Sequence, residues 1–317
     1  MIRIGFLIYA ENSFNFVNTI DAFEKDIHLQ VDFLKSFKKQ KPISKSLQKN
    51  TIFTGSGDSL ISSMLAESFS EGMVHAMDPL DLYKNKHLVK SKRVYFVSIS
   101  GNTITNIKVA KLTKKSIAIT SKSDSRLAKA SDDVILLDAP TNHVFTAGSI
   151  TFLESALTCI SLVKPLSISK SEEVFKKAKF DAKKSNLSKK VYVLGNLLTF
   201  PIAMFCAAKF YEVLGYDVHY SRIEQFSHME LFSAKRSDTV IIFEEKNTHN
   251  RQLAKNLARV GINVIHPNLP SGKIPQLLYC IFFSEFLALY EAKKKHKKDC
   301  HFVTAKKIRN VSNQMIY

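Results

Sequence analysis

The sequence predicts an α/β protein built from two parallel sheets, each flanked by helices. Three observations point there. Strand and helix patterns alternate from 51 to 164, the alternation resumes at 191, and each half opens on strand–glycine–helix and closes on a long apolar helix. Alternation of this kind puts parallel strands into one sheet, with the connecting helices covering both faces. A unit that recurs in this way is an internal duplication.

Residues 1–49 read as a helical lead-in, amphipathic over 21–39. In the first half, 50–166, short β-branched and aromatic runs at 51–55, 74–77, 94–98, 116–120 and 134–137 read as strands. Helical periodicity covers 59–70, 105–115 and 150–163. A lysine-rich connection, 167–189, carries a helix at 172–184. The second half, 190–295, has strands at 191–195, 218–220, 239–243 and 263–266, and helices at 201–214, 250–260 and 274–294. Pro201 falls in a first helical turn, where its missing N–H costs nothing. A tail, 296–317, ends the chain.

At 317 residues and 45% hydrophobic content, the chain can fold two domains. Its net charge of +18 sits largely in runs such as 35–41 and 293–298. These runs lack interleaved stacking aromatics and read as solvated surface, so nucleic acid is not expected as a partner. The four cysteines, Cys159, Cys206, Cys280 and Cys300, show no CxxC spacing. They predict neither a zinc site nor a disulfide framework, but a reducing, cytoplasmic setting. The apolar start, 1–10, is too short for a secretory signal, and runs such as 277–283 fall well below a membrane span.

The most informative stretch is Ser98-Ile99-Ser100-Gly101-Asn102-Thr103, a hydroxyl-rich turn between a strand and a helix. Unpaired N–H groups and a partial positive charge at a helix start suit an anion, and Gly101 allows close backbone approach. Gly55-Ser56-Gly57-Asp58-Ser59 follows the opening strand of the same half. Both loops belong at the carboxyl edge of a parallel sheet, where ligands sit. The matching turns of the second half, 195–198 and 243–246, carry Glu244 and Glu245 where the first half has serines, and should repel a phosphate. A sugar phosphate bound by the first half is the expected ligand.

Together the two loops resemble the paired signature of sugar isomerase (SIS) domains. Tandem SIS domains occur in the isomerase half of glucosamine-6-phosphate synthase and in archaeal-type phosphoglucose/phosphomannose isomerases. The resemblance spans roughly 50–310. It implies phosphate binding by Ser59, Ser98, Ser100 and Thr103, with Gly55, Gly57 and Gly101 shaping the pocket. Lys209 and Glu212 fall on a helix lysine and, three residues later, a catalytic glutamate. His228 falls on a loop histidine that reaches the neighbouring subunit's site, which implies a homodimer, and Glu224 orients that loop or contacts hydroxyls. Lys306, with Lys307 as competitor, aligns with a catalytic lysine in a tail that closes the site. His143 and Ser149 precede the helix at Ile150 and are expected to line the sugar pocket.

The chain departs from the synthase pattern at Phe205, where a second carboxylate stands, at Ile99, where a glutamine stands, and at Met229-Glu230, where Gly-Pro stands. No glutaminase domain precedes the repeat, so ammonia transfer from glutamine is not expected. The expected activity is cofactor-free aldose–ketose isomerisation of a glucose-6-phosphate or mannose-6-phosphate type substrate. A carboxylate in apolar surroundings suits the proton transfer, a histidine suits ring opening, and an ammonium suits the enediolate. Two alternatives use the same residues: amino-sugar phosphate isomerisation or deamination, and a non-catalytic phosphosugar sensor. The absence of a base-reading second helix before residue 50, and the presence of Glu212 and His228, weigh against the sensor.

Overall fold

The computed structural model describes residues 18–141 and 144–317. The first sheet has five strands, β1 (Thr51–Thr54), β2 (His75–Met77), β3 (Arg93–Val97), β4 (Lys115–Thr120) and β5 (Asp133–Leu136), in the order β2-β1-β3-β4-β5. The second has four, β6 (Lys190–Leu194), β7 (Asp217–Ser221), β8 (Thr239–Ile242) and β9 (Asn263–Ile265), in the order β7-β6-β8-β9. Every pairing is parallel. The order reverses between β1 and β3 and again between β6 and β8. These are the two topological switch points, and crevices open beyond their carboxyl ends.

The helices, in chain order, are α1 (Thr19–Ser36), α2 (Lys45–Gln48), α3 (Asp58–Phe69), α4 (Pro79–Lys84), α5 (Ile104–Ala110), α6 (Arg126–Ala130), α7 (Ile150–Ser161), α8 (Ser171–Lys183), α9 (Thr199–Lys209), α10 (Ile223–His228), α11 (Thr248–Arg259), α12 (Lys273–Lys294), α13 (His301–Thr304) and α14 (Lys306–Ile316). Strand residues alternate between two cores, as the pleat requires. Phe53, Tyr95, Val97, Ile117 and Ile119 of the first sheet, and Val191, Val193 and Ile241 of the second, face one continuous core shared with α1, α3, α7, α8, α9 and α12. Their neighbours Ile52, Val94, Phe96 and Ala118 face a smaller core under α4, α5 and α6. Tyr192, Leu194, Val240 and Ile242 face a third under α10 and α11. Helices between the sheets thus bury apolar surface on both sides, which is why α12 is apolar almost all round.

The expected helix over 105–115 ends at Ala110, and Lys115 instead opens β4, paired with Arg93. The lysine-rich connection is less of a spacer than its composition suggests. Val174, Phe175, Ala178 and Ala182 of α8 are buried, and Phe175 meets Phe282 and Phe286 of α12 edge-on. All four cysteines are buried and free. Among the described residues no helix is long and apolar enough to cross a membrane.

Candidate functional site

Thr54 of β1 pairs with Phe96 of β3, so the loops that leave these strands emerge side by side at the first switch point. Gly55 is followed by a fold-back so tight that a Cβ there would lie 2.6 Å from Ser59 Cβ. Gly57 takes φ +58° as the residue before α3. Gly101 takes φ +62°, and a Cβ on it would lie 2.1 Å from Ser125 Oγ. No other residue type fits that position. The Ser98 and Thr103 hydroxyls are 3.3 Å apart, and Thr103 does not cap its own helix. The Ser100 hydroxyl accepts from the Asn102 N–H at 3.3 Å. The expected phosphate ligands of this turn are therefore gathered at one place, with Ser59 in the first turn of the adjoining α3.

At the second switch point Glu244 sits in the turn itself. Its Oε1 accepts from the Asn196 N–H at 2.8 Å and from the Thr199 hydroxyl. A side-chain carboxylate thus occupies the donors of this turn. A cavity of about 720 Å³ lies beside it, lined by Leu197, Phe200, Arg222 and Glu244 among others, and it includes neither Lys209 nor Glu212.

The two halves meet at Lys209. This residue ends α9 and is fully buried, and a π-turn, Phe210–Leu214, continues the helix. Single π-turns recur at functional sites. The Lys209 ammonium donates to Glu212 Oε2 at 2.6 Å, to the Gly148 carbonyl at 2.8 Å and to Asp58 Oδ2 at 3.0 Å. Asp58 opens α3 directly after the Gly55–Gly57 turn, so one side chain ties the end of that turn to the second half's carboxylate. All three N–H groups are spent, leaving none for a ligand. Lys209 therefore holds Glu212 in place, which differs from the expectation that it lines the sugar pocket. The Phe205 ring lies 5.0 Å from the ammonium and stacks on Phe152.

Glu212 keeps 36% of its side-chain surface open. Burial of the rest pushes its pKa up, the Asp58 charge adds to this, and the Lys209 ammonium opposes it. The Lys209 pKa is raised because Asp58 and Glu212 outweigh its burial. A carboxylate raised in this way, with one face open, is a stronger base than an ordinary surface carboxylate and is placed to take and return a proton.

The other expected residues are placed as follows. Ser149 is buried and its hydroxyl accepts from Gln30 Nε2 at 2.7 Å, so it faces the core rather than a pocket. His143 lies outside the described residues. His228 ends α10, 70% exposed, with Nε2 3.1 Å from Glu224 Oε1. Lys306 and Lys307 open α14 and are exposed. The tail does reach the Glu212 turn, but through His301, whose ring packs where a Cβ of Gly215 would stand. Asp58, bonded to Lys209, is a further member of the cluster beyond the expected site residues. Its signal was an acidic residue at the head of a helix inside a glycine–serine loop.

No family model and no curated protein matches this sequence. Solved structures do match. A glucosamine-6-phosphate deaminase from Thermotoga maritima superposes with TM-score 0.66 at 18% identity, covering 88% of this chain and 93% of that one. The C-terminal domain of glucosamine-fructose-6-phosphate aminotransferase from Francisella tularensis gives 0.64 at 14% identity, covering 90% and 98%. A tagatose-6-phosphate ketose/aldose isomerase from Escherichia coli gives 0.64 at 16%, covering 85% and 92%. At these identities the likeness is one of fold, and it extends over nearly the whole of each chain.

Proposed function

We propose that this chain is a sugar-phosphate isomerase made of two tandem SIS units, converting a glucose-6-phosphate or mannose-6-phosphate type aldose to the fructose-6-phosphate type ketose. The observation that carries this reading is the Lys209 ammonium, which joins the phosphate loop at Asp58 to the raised carboxylate of Glu212. Ser59, Ser98, Ser100 and Thr103 hold the phosphate, and the opened sugar chain extends towards Glu212. Glu212 takes the proton from one of C1 and C2 and returns it to the other through an enediolate. Lys306 is assigned to offset the enediolate charge once the tail closes. Two of the similar structures are named for amino-sugar phosphate reactions and a third for a ketose/aldose isomerisation, which supports the substrate class. The first two also favour a second reading, in which C2 carries nitrogen.

The test is a substrate panel read by proton NMR: fructose 6-phosphate with and without ammonium, and glucosamine 6-phosphate alone. Aldose phosphate formed without ammonium is the expected result. Product only with ammonium, or ammonia released from glucosamine 6-phosphate, moves the assignment to the second reading. No product from any of them contradicts both.

Gly101→Ala forces a side chain into a left-handed backbone, at a cost of about 1–2 kcal/mol, and drives it onto Ser125. The phosphate turn must open to accept it. Titration calorimetry should show fructose 6-phosphate binding weakened by roughly tenfold or more.

We assign His228 to the site of a second copy, as its ring-opening acid and base. Its exposure beside the exposed apolar side chains Met229 and Phe232 supports this. His228→Ala should leave stability within about 0.5 kcal/mol, because the residue packs on little, while lowering turnover. Mixing it with Glu212→Gln should restore activity, since a mixed dimer holds one intact site. Absence of recovery would place His228 in its own subunit's site or outside it.

A further inference from the structure

Beyond the Lys209 cluster lies a buried carboxyl that the proposed reaction leaves unused. Glu285 stands in the apolar run Phe282-Phe283-Ser284-Glu285-Phe286 of α12 and is fully buried. Its Oε2 accepts from Gln30 Nε2 at 2.7 Å, and the same amide donates to Ser149 Oγ at 2.7 Å. Ser149 follows Gly148, whose carbonyl accepts from Lys209. Contacts therefore run from α12 through α1 to the 144–149 loop, and from there to the ammonium that holds Glu212.

Three oxygens along this path, Gln30 Oε1, Glu285 Oε1 and Asp58 Oδ1, are buried without a hydrogen-bond partner among the described residues. Stranded acceptors in a low-dielectric interior are costly, and a proton on one of them relieves the cost. Of the two carboxyl groups among them, Asp58 is ion-paired with Lys209, which leaves Glu285 as the one to carry it. Burial pushes its pKa up to about 8, with the Asp58 charge adding to the rise, against the Gln30 and Ser149 hydrogen bonds and the Lys209 charge. The other charged groups near α12 are engaged elsewhere. Lys177 and Asp181 of α8 meet Tyr279, and Lys179 lies over the Phe286 ring. Glu24 of α1 pairs with Lys293, His28 meets Phe286, and Asp26 lies one turn before Gln30. Glu291 bonds Tyr216 and Lys295, and Glu154 of α7 accepts from the Asp138 and Ala139 N–H groups.

We propose that Glu285 is a positioning residue: as the neutral acid it seats Gln30 and Ser149, so that the 144–149 loop keeps the Gly148 carbonyl on Lys209 and Glu212 stays in place. Ionisation of Glu285 leaves it a stronger acceptor for Gln30 but adds a second uncompensated negative charge near Lys209, and that charge strains the Asp58–Lys209–Glu212 cluster and loosens the loop seated on it. This rests on the reading of Glu212 as the proton-transfer base.

The test is the pH profile of kcat/KM for wild type, Glu285→Gln and Glu285→Leu. Wild type should lose kcat/KM on the alkaline side, with a midpoint near the Glu285 value of about 8. Glu285→Leu, which cannot accept from Gln30, should lower kcat/KM roughly tenfold or more at every pH, chiefly through kcat. Glu285→Gln, which mimics the neutral acid, should recover most of that loss and show no alkaline decline. An alkaline limb equal in wild type and Glu285→Gln, or a glutamine variant as impaired as the leucine one, overturns the proposal. If no sugar phosphate turns over in any protein, the isomerase reading fails by itself. The Glu285 assignment is then decided by amide hydrogen exchange of residues 144–149, corrected for intrinsic pH dependence. Faster exchange in wild type than in Glu285→Gln above pH about 8 supports it, and equal exchange overturns it.

Discussion

Replacing Glu212 with glutamine is expected to lower fructose 6-phosphate turnover by about 10²–10⁴-fold, the range that one general base supplies. Binding of the sugar phosphate should be nearly unchanged. The reason lies in how the residue is held. The glutamine Oε1 can still accept from the Lys209 ammonium, which donates at 2.6 Å to the native carboxylate, so the π-turn keeps its shape. What is lost is the basic oxygen on the open face, whose pKa burial raises above the ordinary carboxylate value. The hydroxyls of Ser59, Ser98, Ser100 and Thr103, proposed to hold the phosphate, do not depend on that oxygen. Parallel titration calorimetry and steady-state kinetics on the variant check both parts. Equal losses in affinity and turnover would mean that Glu212 binds substrate rather than moving its proton.

The second large effect is on stability. Lys209→Met keeps the volume and the apolar contact with Phe205 but removes a fully buried cation. Asp58 and Glu212 are then left facing each other without compensation. Breaking a buried pair in this way costs about 3–5 kcal/mol. The lower end, roughly 3 kcal/mol, is expected here, because both carboxylates are partly open to water. Urea unfolding should show the deficit at neutral pH. The pH dependence has a definite sign. Lys209 lowers the Glu212 pKa in the native protein, so its removal raises that pKa further above the unfolded value. A carboxyl raised by folding stabilises below its unfolded pKa and loses that contribution as pH rises through the folded one. The deficit of the variant should therefore shrink as the solution is acidified into the carboxylate range. A constant deficit across pH would point to packing alone.

The architecture was legible because its signals are local. A parallel strand buried on both faces is a short apolar run, and nearly every such run became a strand within a residue of its expected ends. The helix at 105–115 failed for a tertiary reason: the lysines after Ala110 continue a helical period, but Lys115 is claimed by pairing with Arg93. Local signals also carried part of the site. Lys209 and Glu212 are three residues apart on one helix, and the Ser98–Thr103 turn announces itself by composition. The partners that give these residues their character are distant. Asp58 reaches Lys209 across 151 positions, and Gln30 reaches Glu285 across 255. No periodicity records such contacts. A lone acidic residue in an apolar helical run, as at Glu285, marks only that some partner must exist.

The central claim, that Glu212 moves a proton on a sugar phosphate held by the first half's loops, is tested most directly by solvent exchange. Fructose 6-phosphate incubated with the protein in D₂O should gain deuterium at the carbons that exchange through the enediolate, and the signal should vanish with Glu212→Gln. Exchange that persists undiminished in the variant would contradict the assignment of Glu212. A wild-type protein that binds the sugar phosphate without any exchange would contradict the isomerase itself.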